Sequence, residues 1–429
     1  MSDPRDESNR RSPRRWVVPP PLMQHDEPFD GWHVVDELRT GLGVVLWQTL
    51  RDVEMWAASA PEARARLFAY GTLGRRREWI QSVGAPKPLR EPLETLTRVL
   101  DARHPPDPEE ITAAATAVSR WAAESGLPRV ALALAQTAAL ASPERADAAY
   151  LVGLLARRSA QYRRAETWFR RALALGRRTR DWNDYGLACI GLGVLYRQRG
   201  DYPAARTWFY KALRVARRNG LWSVRPMALH DLFCVAANGA QVEEAETWAR
   251  RAFRAYGRRH PRLVVLAHDV ARFWLLRGKY ADALRVFRAA LPHITRLAER
   301  RLAVSNLARA AAGLGDRMTF AEMWSDTWRL VDDYEDTESV PEALITLAQG
   351  AAALGDPDRG QLAASHALKV AIQRNEAEQR LAAEDLLESL RRTRVAPAPR
   401  LPAPAGPEPE IHPFAADLVE ALTLDYAEF

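Results

Sequence analysis

The sequence predicts an all-α fold: a right-handed α-solenoid of about seven helix pairs, preceded by an N-terminal helical module. Three observations predict it. A motif recurs as AETWFRRAL at 165–173, ARTWFYKAL at 205–213 and AETWARRAF at 245–253, with leading alanines 40 residues apart. The frame extends to Ala131, Ala283, Phe320 and Gly360. Two further columns keep the same register. Mostly small residues lie twelve positions earlier (Ser119, Gly153, Gly193, Phe233, Ala271, Ala308, Ala348), where two helices must approach closely. Gly or Ala lies five positions earlier (Gly126, Ala160, Gly200, Ala240, Gly278, Gly315, Gly355), which suits a tight turn with a positive φ. Each unit reads as two antiparallel helices. Neither helix pair buries its apolar face alone, so the units must stack.

Taken in order, residues 1–29 are polar, charged and proline-rich, and are expected to be a disordered tail. Residues 30–105 form the N-terminal module. Val34, Val35, Leu38, Leu42, Val45, Leu46, Leu50, Val53 and Trp56 recur at helical spacing. Pro61-Glu62 reads as a fresh helix start, and a third helix fits 91–102. The solenoid occupies 111–392. A proline-dense linker follows at 393–413, and an acidic amphipathic helix is expected at 414–429, carrying Phe414, Leu418, Ala421 and Leu422 on one side. That helix reads either as a docking peptide, for another protein or for its own basic array, or as a solubilising tail.

The repeat resembles the tetratricopeptide repeat family. The match is closest at Leu192-Gly193, Tyr196, Gly200, Tyr202, Ala205, Phe209 and Ala212-Leu213, with Pro143 where that family often ends its second helix. The resemblance covers roughly 111–392. The spacing of about 40 residues exceeds the family's usual ~34 and is similar to the sensor arrays of bacterial regulators. It implies a module that binds peptides or proteins, and in some relatives small ligands. The Lys/Asn clamp by which some relatives hold a C-terminal carboxylate does not map, because the slots hold Thr116, Arg120 and Leu151.

Charge is unevenly spread. The net charge is +7, yet residues 145–300 alone carry +19, flanked by −2 over 1–144 and −10 over 301–429. Of 61 basic residues, only Lys87, Lys211, Lys279 and Lys369 are lysine. So basic a middle segment suits an acidic partner; arginine-rich solvated helix faces are the plainer reading. No apolar run approaches the ~18 residues of a membrane span. The N-terminus lacks a secretory apolar core, and Cys189 and Cys234 make no disulfide framework. These features point to the cytoplasm and away from a membrane.

The first helix of each unit is expected to line a concave groove. Counting from the register, that groove holds Arg120, Tyr150, Arg157, Arg197, His230, Asn238, His268, Arg272, Asn306, Arg309 and Gln349. Its arginines suit carboxylates or phosphates. A second candidate is a basic ridge on the second helices: Arg170, Arg171, Lys211, Arg250 and Arg251, beside the column Trp168, Trp208 and Trp248. Basic and aromatic groups interleaved in this way can stack on single-stranded nucleic acid. The alternative is a tryptophan column packed between units with arginines stacked on it.

Enzyme signals are weak. There is no GxxxxGK[ST], GxGxxG after a strand, GxSxG or HExxH. His230-Asp231 and His268-Asp269 recur in adjacent units, with Cys234 on the same helix face as His230, but a clear fourth ligand is lacking, so no metal or other cofactor is expected. Asp332-Asp333 and the run to Glu342 read as an acidic loop. The expectation is a non-catalytic scaffold or regulatory adaptor whose groove takes an acidic peptide or protein segment, gated by the C-terminal helix. The alternative is a nucleic-acid-binding regulator using the basic 145–300 surface. The sequence leaves the oligomeric state open.

Overall fold

The structure is a computed structural model and describes residues 32–64, 66–239, 241–332, 337–374, 376–395 and 411–423. Every regular element among them is helical, and the chain is an α-solenoid. The expected tail at 1–29, most of the linker at 393–413, and residues 424–429 lie outside the described residues. The chain divides into two compact units, Met1–Asp231 and Leu232–Phe429. The repeat register runs through this division without a break, so nothing in the spacing marks it.

In the first unit the N-terminal module holds α1 (Trp32–Glu37), α2 (Gly41–Ala58), α3 (Pro61–Arg64), α4 (Thr72–Ser82) and α5 (Lys87–Thr97). Val34, Val45, Leu46, Leu50, Val53 and Trp56 are buried, as their spacing predicts. The helix start at Pro61 is where the sequence places it, and the third helix has different bounds from those expected. The helix starting at Pro61 stops after one turn, and it buries no residue that would hold it in place. The third helix starts at Lys87 and gives way to a 3-10 turn at Arg98–Leu100.

The pairs α6 (Pro108–Glu124) with α7 (Pro128–Ala141), α8 (Ala146–Arg158) with α9 (Tyr162–Thr179), and α10 (Trp182–Gln198) with α11 (Tyr202–Arg218) follow. The module attaches to them through packing and one side-chain cap. The Glu37 carboxylate accepts the backbone N–H groups of Arg129 and Val130, at 3.1 and 2.8 Å, in the first turn of α7. That turn has no capping side chain of its own, so Glu37 satisfies two of its free donors.

The unit boundary falls inside α12 (Val224–Asn238). The second unit continues with α13 (Val242–Tyr256), α14 (Leu263–Leu275) with α15 (Tyr280–Ala290), α16 (Leu297–Gly313) with α17 (Arg317–Asp332), and α18 (Val340–Ala353) with α19 (Pro357–Gln373). Then come α20 (Ala377–Val395), which packs Leu390 against Gly360, and α21 (Pro413–Thr423). Helices α6 to α19 thus supply the seven expected pairs.

The three sequence columns have distinct physical roles. The leading alanines Ala131, Ala165, Ala205, Ala245 and Ala283 are fully buried. In the small-residue column, Gly153 faces the ring of Phe169 and Gly193 that of Phe209, both closer than any Cβ would allow. In the turn column, Gly126, Gly200, Gly278, Gly315 and Gly355 have φ between +74 and +78, and Ala160 adopts φ +57. A left-handed residue there ends the first helix so that the second can fold back. Asp181 and Asp201 then cap α10 and α11, as Asp356 caps α19.

Candidate peptide-binding face

In the first unit, α8 and α10 bring Arg157 and Arg197 together. Arg157 donates to the Gln198 side chain at 3.1 Å. Burial holds its pKa below the ordinary arginine value, and the nearby Arg158 and Arg197 charges act in the same direction, against Tyr150 and Asp231. Like charges share a partly desolvated surface here, a local excess of positive potential. Tyr150 is turned toward the core, 5.7 Å from the Phe169 ring. His230 is a correction: only 5% exposed, it is a core histidine rather than part of an open face. Its register position on α12 turns it inward with Leu229. Arg120 is exposed on α6.

In the second unit, α14, α16 and α18 bring together most of the remaining predicted groove residues. His268 Nε2 lies 3.3 Å from the Asn306 side-chain nitrogen, and His268 Nδ1 lies 3.4 Å from Asp269. Asn306 itself is 4% exposed, so it braces the histidine more than it offers a free amide. Arg272 reaches Glu342 at 3.2 Å. That contact corrects the reading of Glu342 as part of an acidic loop, because it lies in the first turn of α18. Arg309, one helical turn from Asn306, is half-buried and makes no hydrogen bond or ion pair with the described residues. Burial lowers its pKa, and the Arg272 charge adds to that, opposed by Tyr280. Gln349 is partly exposed on α18, and Asn238 is exposed at the end of α12.

The basic ridge is not a continuous cationic surface. Arg170 is bound to Glu166 at 2.9 Å and to the Tyr196 hydroxyl at 3.2 Å. Arg171 is 4% exposed and donates to the Pro143 carbonyl. Lys211 lies 4.4 Å over Trp208, Arg251 4.9 Å over Trp248, and Arg250 4.8 Å over Phe414. Trp168 and Trp248 are themselves buried. A column at repeat spacing packs its aromatics between helices, and the cations stack on what remains.

The acidic C-terminal helix does fold back onto its own array, but not into the predicted groove. Phe414, Ala415, Leu418, Ala421 and Leu422 are buried. Phe414 meets Phe253 and Trp274 edge to face, at 5.6 and 6.1 Å. Trp274 lies two residues after Arg272 on α14, about 200° around the helix and hence on its other side. The expectation that α21 gates the groove is therefore corrected. The period-3.6 stripe allowed either a docking helix or a solubilising tail, and it carried no information about which face of the array would receive the helix.

The tetratricopeptide repeat family matches residues 144–218. No curated protein matches by sequence. Among solved structures, the Rap conjugation gene regulator of plasmid pLS20, in complex with the Phr* peptide, aligns with TM-score 0.50 at 13% identity, covering 81% of this chain and 96% of that one. The Cut9–Hcn1 hetero-tetramer of the APC/C aligns with TM-score 0.48 at 14% identity, over 82% of this chain and 62% of that one. PilF of Pseudomonas aeruginosa aligns with TM-score 0.38 at 17% identity, over 53% and 96%. The family match falls on the pairs α8/α9 and α10/α11, and the same register of small, turn and leading residues extends on both sides of it. Residues 144–218 therefore carry tetratricopeptide repeats, within an array of helix pairs that keeps the same register.

Proposed function

We propose that the chain is a non-catalytic scaffold or regulatory adaptor whose first-helix faces hold a carboxylate-bearing peptide or protein segment. The observation that carries this is Arg309. A half-buried guanidinium with no partner among the described residues, beside a second arginine, is costly unless an anion completes it. In the first unit Arg157, which donates to Gln198, likewise lies half-buried beside a second arginine, Arg197. Arginine suits a carboxylate because its fork binds both oxygens. The Rap neighbour is a complex with a peptide, which supports the same class of partner. The nucleic-acid reading loses its main support, because the ridge arginines and lysine are committed to carboxylates, carbonyls and rings within the fold.

The test is fluorescence anisotropy of the full chain with a set of labelled carboxylate-rich peptides and a mixed-sequence single-stranded oligonucleotide. Saturable peptide binding, weakened at least tenfold by Arg309→Ala, is expected. Peptide binding indifferent to both Arg309→Ala and Arg157→Ala, or tighter binding of the oligonucleotide, overturns the proposal.

A further inference from the structure

The face of α13, α14 and α15 that α21 covers has the chemistry of a recognition site, and the details of its occupant show what it selects. Phe414 inserts between Phe253 and Trp274, and Arg250 lies over its ring. Leu418, Ala421 and Leu422 continue the apolar stripe, at most 1% exposed. Arg258 grips Glu420 with both guanidinium nitrogens, at 2.6 and 3.2 Å. His293 Nε2 donates to the Leu422 carbonyl at 2.8 Å, near the negative end of the helix. The His412 N–H is taken by Asp282 at 3.0 Å. An aromatic anchor, apolar residues four, seven and eight positions later, and one carboxylate define a helix-in-groove code.

The fit is incomplete at the start of the helix. The His412 carbonyl accepts from the Ala416 N–H at 3.2 Å, so His412 occupies the N-cap position, where imidazole is a poor substitute for Ser or Asn. Its Nδ1 atom is buried and unpartnered. So is the indole nitrogen of Trp274, whose ring lies 5.2 Å away. Each unpaired buried polar atom weakens the association that hides it.

We infer that the α13–α15 face is a second docking site, separate from the first-helix face, for an acidic amphipathic helix of a partner protein, and that α21 is its weakly bound intramolecular occupant. The partner helix carries an aromatic residue at the Phe414 position and a carboxylate at the Glu420 position. Its cap is Ser or Asn rather than Asp, because Asp282 already stands at that end. Tethering gives α21 an effective concentration in the millimolar range, so a weak contact suffices to keep the face covered until a better helix competes for it.

The experiment uses the full chain with a protease site introduced within 396–410. After cleavage, a labelled 411–423 peptide is titrated in, with Phe414→Ala, Glu420→Arg and His412→Ser versions alongside. The expected result is exchange: the peptide binds saturably to cleaved chain and at least tenfold more weakly to uncleaved chain. Phe414→Ala abolishes binding. Glu420→Arg weakens it and is rescued on an Arg258→Glu chain, and His412→Ser binds about fivefold tighter. Arg309→Ala leaves all of this unchanged, which separates the inference from the function proposed above. The inference is overturned if the cleaved helix resists a large excess of peptide over hours. It is equally overturned if loss of that helix melts the second unit by circular dichroism, because α21 would then be an integral part of the core.

Discussion

The ring of Phe169 enters the cleft between α8 and α10 at two glycines, and this arrangement supports a quantitative prediction. A Cβ added to Gly153 would stand 2.6 Å from Phe169 Cδ1, and one added to Gly191 would stand 2.5 Å from Cε1. Optimal carbon–carbon separation is about 3.5–4.0 Å, so the ring must withdraw by roughly 1 Å in either case. Phe169 is fully buried, and its only torsions move the whole ring. Overpacking of this kind costs about 1–3 kcal/mol. Replacing a mid-helix glycine by alanine returns about 0.8–1 kcal/mol of helix propensity. Gly153→Ala and Gly191→Ala should therefore each destabilise by about 1 kcal/mol, read as a fall in urea midpoint at unchanged m-value. Both act on one ring edge, so the double variant should depart from the sum by ~0.5 kcal/mol or more. Phe169→Leu should cost less in the double-alanine background than alone. Neutral or stabilising single variants, strictly additive, would show that the glycines are not there for the ring.

Other consequences follow from single residues. Ala160 holds the left-handed turn that glycine fills in neighbouring repeats, so Ala160→Gly should stabilise by up to about 1 kcal/mol in urea unfolding, and Gly200→Ala should destabilise by about the same. The Asp184 carboxyl is pushed from 3.8 to about 6 by burial first, then by Asp181 and Asp147. Its raised pKa means the folded state binds the extra proton, so stability falls as pH rises through that window. Asp184→Asn should accordingly stabilise at pH 7 by about 1 kcal/mol after allowance for its partial exposure, and little at pH 4, measured as Tm against pH. Arg301 is fully buried and donates to the Leu330 and Glu338 carbonyls at 2.9 and 3.0 Å, tying the end of α17 to the start of α18. Arg301→Met should cost about 2–4 kcal/mol in urea unfolding, the value of two charge-assisted bonds less the desolvation relieved.

Periodicity made most of the fold legible, because one spacing specified the leading, small and turn positions together. The column of Gly126, Gly200, Gly278, Gly315 and Gly355 did so most sharply, since a positive φ leaves few other choices. The α3 start was legible from Pro61, but its one-turn length was not, because a start signal says nothing about what the helix would bury. Site residues were legible as positions on a helix face, not as free or committed groups. Arg170 and Arg309 are both arginines in repeat register; the i,i+4 spacing of Glu166 and Arg170 is legible locally, but only the fold shows that Arg170 also meets Tyr196 and that nothing described takes Arg309. His230 failed for a related reason: its place on α12 was legible, but that position faces inward with Leu229 rather than onto the open face. Such distinctions depend on contacts between helices about 30 or 40 residues apart, which no local pattern records.

The net +19 over 145–300 already counts Glu166 but not Glu144 or Glu420, and what a polyanion feels of it depends on where each cation is held. Glu166 engages both Arg170 and Arg199, Glu144 engages Arg178, and Glu420 engages Arg258. Lys211, Arg250 and Arg251 lie on aromatic rings. Exposed pairs of this kind contribute about 0–1 kcal/mol each to stability, but together they screen the charge that a polyanion would feel. On the first-helix face of the second unit, Arg309 has no partner among the described residues and remains to contact a ligand. Binding through so few charges has a shallow salt dependence. Affinity for a carboxylate-rich peptide should fall by less than about tenfold between 50 and 200 mM salt, whereas six to ten phosphate contacts would cost about 10³–10⁵. A slope of the latter size, measured by anisotropy across that range, would mean that the internal pairs open on binding and that the basic segment acts as a whole.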